Sequence, residues 1–432
     1  MPYAAPPVDE LRFKPPVPHA AWQEPYEALK FGPAAPQVAS GGLTDSANVR
    51  WSEDCLSLNI STPACDQQQR AVLFWIHGGG YRTGQGSIPW YNGARFSRNG
   101  DIVVVSINYR LGALGFTDLS HLGADYALSG VCGTLDQIAA LRWVKDNIAA
   151  FGGDPNRITI AGESAGGFSV ATLLGCQSAQ GLFQQAIPQS GAAHHTLPKT
   201  AAEKVTERFL KELGNSDAMG LSAVPVEDIL SAQGATIAHF EGRAGVQNEL
   251  GVAVSPFYPT HGNALLPDTP LAAIADGCGS DVAVLTGTNT DETTLWGYGS
   301  VDEEKLERIA DGYGAHDVIH VYREQRPQAD LDALLIAITT DHMFRIPAIR
   351  LAEARAAHTA DTWMYLFNWP SRAFGGRLKA THALEIPFAF DNLDRAGVDV
   401  FIGPGDKPQH VADAMHRAWT GFIKQGDPGW AR

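Results

Sequence analysis

Apolar positions along this chain follow two periods, and between residues 70 and 190 the two alternate. Residues 71–76 (AVLFWI) and 101–108 (DIVVVSIN) are unbroken apolar, β-branched runs, the composition of strands covered on both faces of a sheet. In the stretch from Gly133 to Pro155, Leu135, Ile138, Leu141, Val144 and Ile148 recur every three or four positions, and Gly152, Gly153 and Pro155 supply a stop. That spacing predicts a helix returning to a parallel strand, and Ile158-Thr159-Ile160-Ala161 is the strand it returns to. Further runs predict strands at 183–189, 281–287 and 362–369, separated by mostly helical, polar stretches at 199–250 and 301–358. No linker rich in Pro, Gly or Ser, no charge run and no repeat divides the chain. The pattern therefore predicts one α/β domain over 1–432, with mostly helical insertions at about 195–260 and 295–360.

The strand at 158–161 runs straight into Gly162-Glu163-Ser164-Ala165-Gly166 before another apolar segment begins. A G-x-S-x-G sequence there predicts a sharp strand-to-helix turn, with the serine in a strained conformation and its hydroxyl standing clear of the sheet. A plain Gly/Ser loop is the alternative. A serine hydroxyl becomes a nucleophile only if a base takes its proton, and the base needs an acid to fix its tautomer. For this turn the expected chain order is serine, acid, histidine. Asp291 and Glu292 both follow the strand 281–287, at its carboxyl end, where open α/β sheets place their sites. His382 lies in a short loop further on, with His194, His195, His342 and His416 as competitors. The glycine run His77-Gly78-Gly79-Gly80, directly after the strand 71–76, can turn several backbone N–H groups toward one point and hold a developing oxyanion. A phosphate cradle is disfavoured, since neither G-K-[ST] nor a helix-opening G-x-G-x-x-G is present. Two halves of an acyl-transfer site thus occur in the expected order.

Composition narrows the class without naming a reaction. With 32 basic and 47 acidic side chains the net charge is −15, which argues against nucleic acid and anionic membrane surfaces as partners. No apolar run reaches the length of a membrane span, and the start shows no secretory signal pattern. Five scattered cysteines, Cys55, Cys65, Cys132, Cys176 and Cys278, form no C-x-x-C pair. They are expected to be reduced and mostly buried, as in a cytoplasmic protein.

Many ordered motifs resemble those of the type-B carboxylesterases, the family of bacterial p-nitrobenzyl esterases and cholinesterases. They include PYAAPPVDELRFKPP near the start, SEDCLSLNI (52–60), HGGGY (77–81), FGGDPNRITIAGESAGG (151–167), LFQQAIPQSGAA (182–193), LTGTNTDE (285–292), FRIPAIRLAEA (344–354), HALEIPFAF (382–390) and MHRAWTGFIKQGDP (415–428). The resemblance implies an α/β-hydrolase fold with Ser164 as nucleophile, Glu292 rather than Asp291 as acid, and His382 as base. It implies oxyanion donors at the amides of Gly79, Gly80 and Ala165, with no metal or organic cofactor. Glu163 and Glu385 fall on acidic motif positions and are expected to serve as hydrogen-bonding groups in the site wall.

Departures from the family pattern carry expectations of their own. The chain begins inside a motif and ends soon after GDPGW (426–430), so relatives are expected to have further segments at both ends. Cys55 has no cysteine before it, so the disulfide of the cholinesterase branch is not expected across 35–54. Pro188 is unusual before QSG. Thr293 stands where many relatives have glycine, which predicts strain at positive φ and a tilted Glu292 carboxylate.

The resulting expectation is a monomer that hydrolyses small to medium carboxylic esters through an acyl-enzyme. Alternatives are a carbamate, amide or thioester hydrolase with the same three residues, and a non-catalytic cholinesterase-like binding protein. Substrate-binding residues are not identified by sequence. Trp90, Trp296 and Phe257 are candidates either for an apolar gorge or for plain core.

Overall fold

A computed structural model describes residues 1–38, 49–214, 218–241 and 255–432. Parts of the helical stretch expected at 199–250, of the insertion at 195–260 and of the loop 35–54 lie outside these residues. The first fifty or so described positions contain no strand and only one short 3₁₀ turn, Asp9–Leu11. The sheet strands then follow as β1 (Leu58–Ser61), β2 (Arg70–Ile76), β3 (Val103–Ile107), β4 (Gly153–Glu163), β5 (Gln185–Gln189), β6 (Ala283–Asn289) and β7 (Thr362–Phe367). They lie in the order β1-β3-β2-β4-β5-β6-β7. Every pairing is parallel except β1 with β3.

Six of these strands sit where the apolar runs predict, with ends moved by a few residues. The seventh, β1, was not predicted: it is a four-residue edge strand with only Leu58 fully buried, too short for its alternation to register. Pro188 lies in the interior of β5, opposite Gly162 of β4. On the other side of β5 the pairing with β6 skips Ile187 and Pro188, as expected of a residue with no N–H to donate to a central ladder.

Successive side chains of a strand point to opposite faces, so each buried strand feeds two cores. Val72, Phe74 and Ile76 pack on one face with Val103, Val105, Ile158 and Ile160. Ala71, Leu73 and Trp75 pack on the other with Val104, Ala161, Ile187 and Leu285. Helices α1 (Cys132–Asn147) and α2 (Ala165–Leu174) cover the first face. Ile138, Leu141 and Val144 of the predicted helical period are buried there, and Leu135 is partly buried against the same core. Within 301–358, α3 (Leu331–Thr340) belongs to a third, small core of Leu306, Ala310, Ile319, Leu334, Leu335 and Ile338. Helix α4 (Gln409–Gln425) covers the second face with Ala412, Met415, Trp419, Phe422 and Ile423.

One buried ion pair ties α1 to the segment after β3. The Asp136 carboxylate accepts hydrogen bonds from Arg110 N, Nε and Nη2 at 3.0, 2.8 and 2.7 Å. Burial pushes the Asp136 carboxyl up, opposed by two short bonds from the Arg110 guanidinium and one from its backbone amide. Replacing Asp136 by Asn would leave Arg110 buried without a counter-charge. The expected cost is about 3–5 kcal/mol in urea unfolding. A loss of under about 1 kcal/mol would mean that solvent reaches the pair.

Candidate active site

Strand β4 turns into α2 at Ser164, whose φ of 58° and ψ of −125° lie outside the regions L-residues ordinarily occupy. The turn is possible because glycine flanks it. A Cβ on Gly166 would stand 2.0 Å from the Ile76 oxygen, and one on Gly162 2.6 Å from both that oxygen and the Gly166 carbon. The serine is held by its backbone: Ser164 N–H donates to Gln189 O at 3.0 Å and Ser164 O accepts from Phe168 N–H at 2.8 Å. Its side chain is half-exposed. The HGGG loop passes directly over the turn, since a Cβ on Gly78 would lie 2.7 Å from Glu163 O and 3.1 Å from Ser164 Cβ. Gly79 and Gly80 have φ of 112° and 61°. Neither their amides nor that of Ala165, at the start of α2, donates to a loop or turn carbonyl among the described residues.

Glu292 and His382 meet. Glu292 Oε2 lies 2.7 Å from His382 Nδ1, and Glu292 O accepts from His382 N–H at 3.1 Å. The other carboxylate oxygen, Oε1, accepts from Ser190 Oγ at 2.6 Å and from Asn289 N–H at 2.7 Å. Ser190 and Asn289 were not singled out from sequence, although Ser190 lies in the QSG motif after β5. Asp291, the alternative acid, is partly exposed and faces Lys379 at 3.7 Å. Of the competing histidines, His195 stacks on Phe168, His342 packs edge-on to Tyr313, and His416 Nδ1 contacts Ala389 O at 2.9 Å. His194, half-buried next to His195, is held well below the ordinary histidine value by burial, Arg350 and His342.

Ser164 is not joined to His382 by a hydrogen bond: His382 Nε2 is buried and unpartnered. Its nearest charged neighbour is Glu163 Oε1, at 3.1 Å and likewise unpartnered. Such contacts are commonly loose before substrate binds. The two wall carboxylates differ. Glu385 is fully engaged, accepting from Gln189 Nε2 at 3.2 Å and Asn289 Nδ2 at 2.7 Å. Glu163 faces the imidazole, with the Ala383 amide as a donor to it and Oε1 without one among the described residues.

Thr293 does not carry the expected strain. It is absent from the residues of positive φ, which near the site include Tyr81, Ser164, Ser190 and Ala383. The chain instead enters a 3₁₀ turn, Glu292–Trp296, in which a β-branched residue is at ease. Of the three aromatics considered, Trp90 and Phe257 are core residues. Trp296 is 48% exposed, with its ring 5.3 Å from that of His382. Phe344, unremarked in the sequence, packs 4.7 Å from the imidazole. Cys55, Cys132 and Cys176 are buried and free, Cys278 is half-buried and Cys65 is exposed.

The titrating groups press on one another. Burial alone pulls the His382 imidazole down, but Glu163, Glu292 and Glu385 push it up, to about 9. Burial raises Glu163 to about 8 and, with Glu292, raises Glu385 to about 7. The upward direction for His382 stands whatever the charge on Glu163, because Glu292 bonds Nδ1. Glu163, with an oxygen lacking any donor, is the group that takes a proton.

Among the described residues, no helix is long and apolar enough to cross a membrane, and no group of three or more His, Cys, Asp or Glu side chains is placed to hold a metal ion. Comparison with known proteins identifies the scaffold. The model of the Carboxylesterase family matches residues 1–430. The chain belongs to the carboxylesterase family. It is 36% identical to the para-nitrobenzyl esterase of Bacillus subtilis, over 99% of this chain and 86% of that protein. It is also 36% identical to the phenmedipham hydrolase of Pseudarthrobacter oxydans, with the same coverage. A solved carboxylesterase from Geobacillus stearothermophilus superposes with a TM-score of 0.87 at 39% identity, covering 100% of this chain and 87% of that one. This carboxylesterase therefore has the α/β-hydrolase fold and is a carboxylic-ester hydrolase.

Because the folded pKa values of Glu163, Glu385 and His382 lie above the unfolded ones, the folded chain retains protons that the unfolded chain releases. Their contribution to stability is whole below about pH 4.5 and is lost as pH rises through about 7 to 9. The thermal midpoint is expected to fall across that window. Glu163→Gln, which cannot ionise, should make the fall shallower. A variant profile parallel to that of the wild type would mean that Glu163 is already ionised at low pH.

Proposed function

We propose that Ser164, His382 and Glu292 form a catalytic triad that hydrolyses small to medium carboxylic esters through an acyl-enzyme. The observation that carries this reading is the 2.7 Å contact of Glu292 Oε2 with His382 Nδ1, in a buried wall beside a strained serine. A carboxylate only accepts, so Nδ1 carries a proton, and in the neutral imidazole that acts as base Nε2 keeps its lone pair. Nε2 takes the Ser164 proton as Oγ bonds to the ester carbonyl carbon. The N–H groups of Gly79, Gly80 and Ala165 receive the oxyanion, the ester C–O bond breaks, and the imidazolium returns its proton to the departing alcohol. Water, deprotonated by the same nitrogen, then attacks the acyl carbon and releases the acid and Ser164. The free amides of the two glycines, and that of Ala165 at a helix N-terminus, suit this charge. The exposed face of Trp296 and the likeness to a para-nitrobenzyl esterase support apolar, including aryl, esters as substrates.

Ser164→Ala is expected to lower turnover of p-nitrophenyl butyrate by roughly 10³-fold or more with unchanged unfolding. His382→Ala and Glu292→Gln should each do comparable damage, and the losses should not add. Asp291→Asn, directed at Lys379, should leave turnover within about threefold of wild type. A severe loss at Asp291 with a mild one at Glu292 would reassign the acid.

A further inference from the structure

We propose that the Thr293 hydroxyl is a positioning group: by binding Thr339 and Thr340 it fixes the turn that aims Glu292 at His382. The inference rests on Glu292 being the acid of the triad.

The Glu292 carboxylate is met at one oxygen by Asn289 N–H at the end of β6 and by Ser190, but its backbone lies outside the sheet ladder. It begins a 3₁₀ turn beyond the end of β6, so its direction depends on what grips that turn. The next residue, Thr293, is wholly buried together with Thr339 and Thr340. Thr293 Oγ1 lies 2.7 Å from Thr339 Oγ1, 3.4 Å from Thr340 Oγ1 and 3.3 Å from Ile336 O, and Thr293 N–H points at Thr340 Oγ1 at 3.5 Å. The Tyr298 hydroxyl bonds to Thr339 and Thr293. Thr339 Oγ1 also bonds back to Leu335 O at 2.8 Å, so the cluster is seated on the backbone of α3.

The same element reaches the other side of the pair. Helix α3 continues into a π-helical turn, Asp341–Arg345, an irregularity found often at functional sites. From it Arg345 Nη2 donates to Thr290 O at 3.0 Å, and Phe344 backs the His382 ring. One stretch, 336–345, thus grips the chain before and after Glu292 and supports the imidazole. Ile338 of this stretch sits in the small third core with Leu334 and Leu335 of α3, and Met343 in the core of the first sheet face, so the insertion is coupled to the acid–base pair through three hydroxyls.

Misplacing a catalytic group by about 1 Å can cost on the order of 10²-fold. Thr293→Val keeps the shape and removes the hydroxyl. It is expected to lower kcat for p-nitrophenyl butyrate roughly 10-fold or more, with KM within about twofold. The acid limb of kcat/KM should move down toward the ordinary histidine value as Glu292 drifts from an imidazole that also faces Glu163 and Glu385. Thr293→Ser should restore most of both. Thr339→Val should reproduce the defect, and the double Val variant should be no worse than either single one. A Thr293→Val enzyme with wild-type kcat and acid limb, or a Thr293→Ser enzyme as impaired as Thr293→Val, would overturn the proposal. Glu292→Gln separates the two readings. If it is inactive while Thr293→Val is normal, only the clamp is refuted; if it is fully active, the assignment of the acid falls with it.

Discussion

The site depends on burying one imidazole among three carboxyl groups. Glu163, Glu292 and Glu385 are each almost fully out of solvent, and all act on His382. Unpaired, such charges would cost far more than the fold can supply. The structure answers by hydrogen-bonding them unequally. Glu292 receives Ser190, Asn289 and the imidazole; Glu385 receives Gln189 and Asn289. Glu163 retains an oxygen with no donor. That gradient keeps a firm acceptor at Nδ1 and a protonatable group opposite Nε2, a division that suits the proposed exchange of a proton at Nε2.

The fold delivers these groups because parallel strands end on one edge. Strands β2, β4, β5 and β6 lead respectively into the HGGG loop, Ser164, Ser190 and Glu292. Four residues near this edge, Tyr81, Ser164, Ser190 and Ala383, take positive φ without being glycine. Each such residue costs of order 1–3 kcal/mol, and they persist because two cores fix the strands beneath them. Asn289 and Gln189 cross-link the strand ends, with Trp419 of α4 donating to Gln189 Oε1 at 3.0 Å. Packing on the second face is thereby tied to the polar network.

Sequence carried the frame well, because buried parallel strands write themselves as continuous apolar runs and the serine turn as two glycines. It carried the edge strand β1 poorly, four residues being too few for a period. The π-helical turn at Asp341–Arg345 left no mark, since one extra residue per turn barely disturbs a helical pattern. Spacing alone could not choose between Asp291 and Glu292, which are neighbours at one strand end, nor among five histidines. Which of these side chains reaches inward depends on contacts between residues some ninety positions apart, such as Glu292 with His382. The strain expected at Thr293 failed for the same reason: its conformation is set by α3, which no local rule could consult.

Stoichiometric labelling by an organophosphate, followed by peptide mapping, tests the account most directly, because it reports the identity and the activation of the nucleophile together. The account predicts one adduct per chain, on the peptide bearing Ser164, formed in step with loss of esterase activity and suppressed by Glu292→Gln. Full inactivation with the adduct on another residue, or labelling of Ser164 undiminished by Glu292→Gln, would contradict it.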